Sequence, residues 1–230
     1  MRAVVVVFPG SNRDGDVARA LRRSGAEVSS VWHAETALPV GTALVVLPGG
    51  FSYGDYLRCG AIAARASIMD AVRSHAARGG LVLGICNGFQ ILCESGLLPG
   101  VLMRNANLRF ICHRQVVRVE RADTPFTTGY AAGQAIDICV AHGEGNYAAD
   151  PDTVARLEGE GLVAMRYCDR DGRVTPDANR NGSLNAIAGI YSPGLNVLGL
   201  MPHPENFVDP IVGGVDGKPL FDSLVSARAA

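Results

Sequence analysis

Cys86 stands in Leu81-Val82-Leu83-Gly84-Ile85-Cys86-Asn87-Gly88-Phe89-Gln90, an apolar strand-like run that passes through Gly-x-Cys-x-Gly into a helix-like segment continuing through Ile91 and Leu92 to Gly96. This is the pattern of a nucleophile elbow with cysteine in place of serine: glycines two before and two after the nucleophile let strand and helix approach closely across a sharp turn. The same placement sets the sulfur at a helix N-terminus, whose partial positive charge favours thiolate. A cysteine nucleophile needs a proton carrier. His203 lies in Leu200-Met201-Pro202-His203-Pro204-Glu205, delivered by an apolar run and stiffened by two prolines, with Glu205 near enough to orient one ring nitrogen. His142, in Ala141-His142-Gly143-Glu144-Gly145, is the competing base; His33, His75 and His113 read as surface residues. Attack on an amide also needs donors for the developing oxyanion. The Asn87 N–H at the elbow helix and the bare amides of Gly49-Gly50, directly after a strand, are the candidates.

These residues require a scaffold that brings several strand ends to one edge. Val4 to Phe8, Val28 to Trp32, Leu44 to Leu47 and Leu81 to Ile85 read as strands, and Asp16 to Arg23 and Ala61 to Arg78 as helices. In the second helix Ile62, Ala66, Met69 and Val72 are spaced to cover one face. Strands alternating with helices predict an α/β fold, an open and mostly parallel sheet flanked by helices. From Val101 onward the texture changes: Val116 to Val119, Ile136 to Val140, Leu162 to Tyr167, Ala186 to Tyr191 and Val197 to Met201 read as strands without long helices between them, which predicts antiparallel additions. Asp169 to Asn185 reads as an exposed loop, and a helix around Leu220 to Arg228 closes the chain. No internal repeat or linker interrupts the 230 residues, so a single domain over 1–230 is expected.

Composition narrows the function. With 48% apolar and 19% charged residues the chain is globular, and a net charge of -1 gives no electrostatic reason to expect nucleic acid or an anionic membrane as partner. No apolar stretch is long enough to suggest a membrane span, and the N-terminal run is too short for a signal peptide, so a cytoplasmic location is expected. The six cysteines show no Cys-x-x-Cys pair or metal-type grouping with histidine; no metal is expected, and most of them should be buried small hydrophobes. Neither a Gly-x-x-x-x-Gly-Lys-Ser/Thr loop nor a Gly-x-Gly-x-x-Gly fingerprint is present, so no nucleotide cofactor is expected in this chain.

The Gly-Ile-Cys-Asn-Gly-Phe-Gln elbow, the upstream Pro48-Gly49-Gly50-Phe51 and the late His203-Pro204-Glu205 together resemble the class I glutamine amidotransferases, whose flavodoxin-like fold carries a Cys–His–Glu triad that hydrolyses glutamine to glutamate and ammonia. The resemblance assigns these roles to Cys86, His203 and Glu205, and implies that Gln90 helps hold glutamine. Gly49, Gly50, Phe51, Asn87, Gln90, His142 and Gly143 then make up the expected oxyanion and substrate-binding set. Phe8-Pro9-Gly10-Ser11-Asn12, Phe51-Ser52-Tyr53-Gly54-Asp55, Arg104 to Phe110, Ala141 to Gly145 and Asn181-Gly182-Ser183 are similar to one branch in particular, the glutaminase subunits of phosphoribosylformylglycinamidine synthases in purine biosynthesis. Two positions depart from that pattern: Arg180 stands where proline is expected and Asn206 where arginine often follows the glutamate. The branch implies two partners, a large synthetase subunit that uses ATP and Mg and a small accessory subunit. The alternatives are the glutaminase subunit of a different amidotransferase, a stand-alone cysteine hydrolase of related fold, and a binding module that has lost catalysis.

Overall fold

Four consecutive aliphatic residues near the N-terminus, Ala3 to Val6, are fully buried in strand β1 (Arg2–Val7) of the computed structural model, which describes residues 1–227. A strand apolar on both faces belongs inside a parallel sheet covered on both sides. β1 accordingly pairs in parallel with β2 (Glu27–Trp32) on one side and β3 (Leu44–Leu47) on the other. β3 continues in parallel to β4 (Leu81–Ile85), and β4 to a late strand, Val197–Leu200. The carboxyl ends of these strands reach one edge, where α/β sheets place their sites.

The remaining strands are β5 (Val101–Met103), β6 (Ile111–Val119), β7 (Ala135–His142), β8 (Asn146–Ala148), β9 (Val163–Tyr167), β10 (Ile187–Tyr191) and β11, the late strand just named. The nine-stranded sheet runs β2-β1-β3-β4-β11-β10-β9-β6-β7, antiparallel from β11 onward, while β5 and β8 form a separate antiparallel pair. The antiparallel half curls back on the parallel half. β7, last in the order, meets the segment after β11, where the His203 N–H donates to Cys139 O at 2.9 Å.

The helices α1 (Asp14–Arg23), α2 (Ile68–Ala77), α3 (Asn87–Glu94), α4 (Pro151–Gly159) and α5 (Lys218–Ser226) flank the sheet, none of them long and apolar enough to cross a membrane. In α1 the acidic Asp14 and Asp16 open the helix and Arg22 and Arg23 close it, complementing its dipole. α3 follows β4 after a single residue and buries Phe89, Ile91 and Leu92 completely, each contributing roughly 1.5–3 kcal/mol of apolar burial.

Several expectations are corrected. The helix expected over 61–78 is broken: a 3-10 turn at Ala63–Arg65 ends at Ala66, which is extended, before α2 begins. At the break Ile68 N–H donates to His33 O at 3.2 Å, a tertiary bond that the apolar periodicity does not encode. α4 is a short helix of 9 residues in a stretch expected to lack long ones. His75 is buried rather than exposed, its Nε2 lying 3.2 Å from Leu81 O in space left by the bare Gly80. The 169–185 segment is irregular as expected, but Asn181 and Ser183 within it are buried. Arg228, the expected end of the last helix, lies outside the described residues.

Candidate active site

Cys86 is the one residue between β4 and α3, and it adopts φ 51°, ψ -105°, a backbone state that a side chain ordinarily avoids. The structure around it enforces the turn. Cys86 N–H donates to Leu200 O of β11 at 2.8 Å, while Cys86 O accepts from the Phe89 and Gln90 N–H groups at 2.9 and 3.2 Å. The glycines on either side are required by close packing: a Cβ at Gly88 would lie 1.9 Å from Leu47 O, and one at Gly84 2.5 Å from Leu92 Cδ1. The thiol points across to the end of β7, its Sγ 3.6 Å from Ala141 O.

His203 and Glu205 arrive from the 3-10 turn after β11 and are almost fully buried. His203 Nδ1 and Glu205 Oε1 are 2.7 Å apart. Burial alone would disfavour a charged ring, but the Glu205 carboxylate and, beyond it, the nearby Cys86 sulfur outweigh it and raise the His203 pKa well above its ordinary value. Nε2 has no partner within ordinary hydrogen-bond geometry, which leaves it to the sulfur; catalytic contacts of this kind are commonly long before substrate binds. Gly49 lies against the ring: a Cβ there would come within 2.9 Å of His203 Cε1. Arg13 packs on the same glycine, and its raised pKa owes first to its hydrogen bond with Asp16 and in smaller part to the charge of Glu205.

Gly50 and Ser11 form an antiparallel bridge whose hydrogen bonds are made by their neighbours, Phe51 N–H to Gly10 O at 2.9 Å and Asn12 N–H to Gly49 O at 3.4 Å. In such a pair the Gly50 N–H turns outward, available to a ligand. The Phe51 N–H is therefore engaged elsewhere, and Phe51 contributes only surface. Asn87 Oδ1 accepts from Ser52 N–H at 3.2 Å and its Nδ2 donates to Gln90 Oε1 at 2.9 Å, which ties the turn after β3 to α3. The Asn87 N–H opens α3, ahead of any intrahelical acceptor.

Gly50, Phe51, Cys86, Gln90, His142 and Gly143 all line one cavity of about 250 Å³, together with Asp55, Cys59, Arg104, Phe110, Ala141 and Glu144. Gln90 is held by its Nε2, which donates to Glu144 O at 2.7 Å. His142 is unlike His203: its ring is buried without a carboxylate beside it, its pKa is pushed down to about 4 by burial and by the neighbouring histidines, and it stays neutral at pH 7. Burial raises the Asp55 pKa, and nearby Glu144 adds to it. Asp55, Arg104, Asn105, Phe110, Ala141 and Glu144 were not singled out as site residues from sequence, although all lie within the Phe51 to Asp55, Arg104 to Phe110 and Ala141 to Gly145 segments; Cys59, which also lines the cavity, lies in none of them. Among the described residues no cluster of His, Cys, Asp or Glu is arranged to hold a metal ion.

A family model for the CobB/CobQ-like glutamine amidotransferase domain matches residues 1–215. The phosphoribosylformylglycinamidine synthase subunit PurQ of Bradyrhizobium diazoefficiens is 68% identical over 97% of this chain and 97% of its own length. A chain of the solved PurLQS structure from Thermotoga maritima superposes with a TM-score of 0.86 at 44% identity, covering 98% of both chains. At 15% identity, a glutamine amidotransferase whose crystal structure is also from Thermotoga maritima shares the fold, with a TM-score of 0.64 over 99% of this chain and 97% of the other.

Proposed function

The chain belongs to the CobB/CobQ-like glutamine amidotransferase family, and from that membership we propose that it is the glutaminase subunit of a phosphoribosylformylglycinamidine synthase, with Cys86 as nucleophile. The observation that carries the chemistry is the strained Cys86 elbow, which lines a cavity large enough for an amino acid and interacts with the buried His203–Glu205 pair behind it.

The raised His203 pKa favours the proton on the ring. The Cys86 thiolate attacks the carboxamide carbon of glutamine, forming a C–S bond while the carbonyl oxygen becomes an oxyanion. Gly50 N–H and Asn87 N–H are the donors that receive it. Collapse of this intermediate breaks the C–N bond as His203 gives its Nε2 proton to the departing nitrogen, which releases ammonia and leaves a γ-glutamyl thioester. His203 then takes a proton from water, whose oxygen attacks the thioester carbon; the C–S bond breaks, glutamate leaves and the thiolate returns. Glu205 holds the Nδ1–H throughout and offsets the charge on the ring. Arg104 and the carboxylates of Asp55 and Glu144 suit the two charged ends of an amino acid at the cavity rim.

In this reading residues 1–230 act as one amidotransferase domain in the cytoplasm and perform half of a reaction. Ammonia reaching bulk water at neutral pH would be protonated and lose its nucleophilicity, so its use requires a shielded path into a second site. The partner is the large synthetase subunit, which uses ATP and Mg to amidate formylglycinamide ribonucleotide, with a small accessory subunit. Phe51 and Phe110 at the cavity, and Tyr56, Leu57 and Leu108 beside them in the chain, are exposed apolar residues suited to a covering partner. The test is glutamate release by the chain, alone and with the synthetase and its substrates. Glutamine-dependent amidation only in the mixture supports the assignment; amidation by this chain alone, or no glutamate release in either case, contradicts it.

A further inference from the structure

Asn105 is fully buried between β5 and β6, and its polar groups are devoted almost entirely to one wall of the cavity. Its backbone N–H donates to Gly143 O at 2.9 Å. Its Nδ2 donates to His142 O at 2.9 Å and to Arg109 O at 2.8 Å, while its Oδ1 accepts from Gly145 N–H at 3.0 Å and faces His142 Nδ1 at 3.1 Å. Because Nδ2 serves two carbonyls, the amide has only one sensible orientation, and Oδ1 can only accept. His142 Nδ1 therefore carries the ring proton. Two more side chains complete the grip from other directions: Gln90 Nε2 on Glu144 O and Asn181 Nδ2 on Gly145 O, both at 2.7 Å.

Every carbonyl from His142 to Gly145 is thus tied back to a buried amide. In a planar trans peptide the N–H points opposite to the preceding C=O. Since His142 O and Gly143 O both point at Asn105, the N–H groups of Gly143 and Glu144 point away from it, and neither has an acceptor among the described residues. Both residues line the cavity beside Cys86. We propose that Asn105 is a positioning residue for the substrate: by fixing the His142–Gly143 and Gly143–Glu144 peptide planes it aims two N–H groups at an oxygen of the bound amino acid. The inference rests on the reading of this cavity as the glutamine site. The role belongs to binding rather than to bond breaking, since Asn105 itself reaches neither Cys86 nor His203.

The test is steady-state glutaminase kinetics of Asn105→Ala, paired with the rate at which iodoacetamide, which needs no substrate pocket, alkylates Cys86. The expected result is a glutamine KM raised about tenfold or more, kcat within about threefold of the parent, and an unchanged alkylation rate. Asn105→Asp keeps the acceptor but loses both donors, and should fail to restore KM. An unchanged KM overturns the proposal, as does a joint fall of kcat and alkylation, which would mark a general structural role. If Asn105→Ala does not fold, Asn105→Asp, which keeps the shape and the acceptor but loses the bond to His142 O, takes its place and should still raise KM about threefold; no change there also overturns the proposal. A parent protein without glutaminase activity would instead contradict the functional reading, which separates the two failures.

Discussion

Replacing Glu205 by glutamine removes one charge from a buried pair while keeping the shape of the side chain. In the parent, Glu205 Oε1 lies 2.7 Å from His203 Nδ1, and both side chains are shielded from solvent. Two unit charges about 4 Å apart attract by about 4 kcal/mol at an effective dielectric of 20, which sets the scale of the effect. Glutamine can still accept the Nδ1–H, so the loss is the difference between a charge-assisted and a neutral hydrogen bond, about 2 kcal/mol. That corresponds to a fall in kcat/KM of roughly thirtyfold at neutral pH. Direction can be checked independently of turnover. The carboxylate helps to raise the His203 pKa; a raised histidine keeps its proton through neutrality and loses it only as pH rises through the raised value. In Glu205→Gln the imidazolium is lost at lower pH, so alkylation of Cys86 by iodoacetamide at pH 7 should slow and its pH profile should shift upward. His203→Ala, which removes the proton carrier itself, should lose more than either Glu205→Gln or Glu205→Ala. Glu205→Gln with activity within about threefold of the parent and an unmoved alkylation profile would refute the reasoning.

Gly88→Ala should destabilise the fold by about 3 kcal/mol or prevent its formation, because the added methyl would sit 1.9 Å from the Leu47 carbonyl oxygen; a urea midpoint equal to the parent's contradicts the close-packed elbow. His142 is neutral when folded down to about pH 4 but protonates near its ordinary value of 6.5 when unfolded, so it costs stability progressively as pH falls through that window. His142→Gln should therefore resist acid better than the parent by up to about 3 kcal/mol at pH 4, relative to their difference at pH 8, and a difference that does not vary with pH argues against a buried neutral ring. The isolated chain should hydrolyse glutamine slowly, and the synthetase with its substrates should raise the rate by about tenfold or more, since a misaligned Gly50 donor alone would cost about 3 kcal/mol; equal turnover with and without the partner removes the gating idea.

The central parallel strands β1, β3 and β4 were legible because they are short, largely apolar runs bounded by glycine or proline, and β3 and β4 end where the sequence places them. Cys86 was legible for a related reason, since the elbow confines its glycines to a few residues. His203 and Glu205 were legible as a pair through their two-residue separation, but their meeting with Cys86 depends on β11 lying parallel to β4, a pairing far apart in the chain. The start of α4 carried a local signal that the strand pattern obscured: Asp150 caps the helix by accepting from Thr153 N–H at 2.9 Å, with Pro151 at its first turn. The three-residue strands β5 and β8 are too short for any periodicity. Asn105 could be seen as part of a distinctive segment, but its grip on the His142 wall is tertiary and leaves no local pattern.

The central claim is that Cys86 forms the covalent intermediate with the glutamine side chain, and peptide mapping after treatment with a glutamine-mimicking chloroketone tests it most directly. A single adduct on the Cys86 peptide, formed in step with the loss of glutamate release and absent from Cys86→Ala, is the predicted result. An adduct on Cys59, Cys93, Cys112, Cys139 or Cys168 in its place, or normal glutaminase activity in Cys86→Ala, would contradict it.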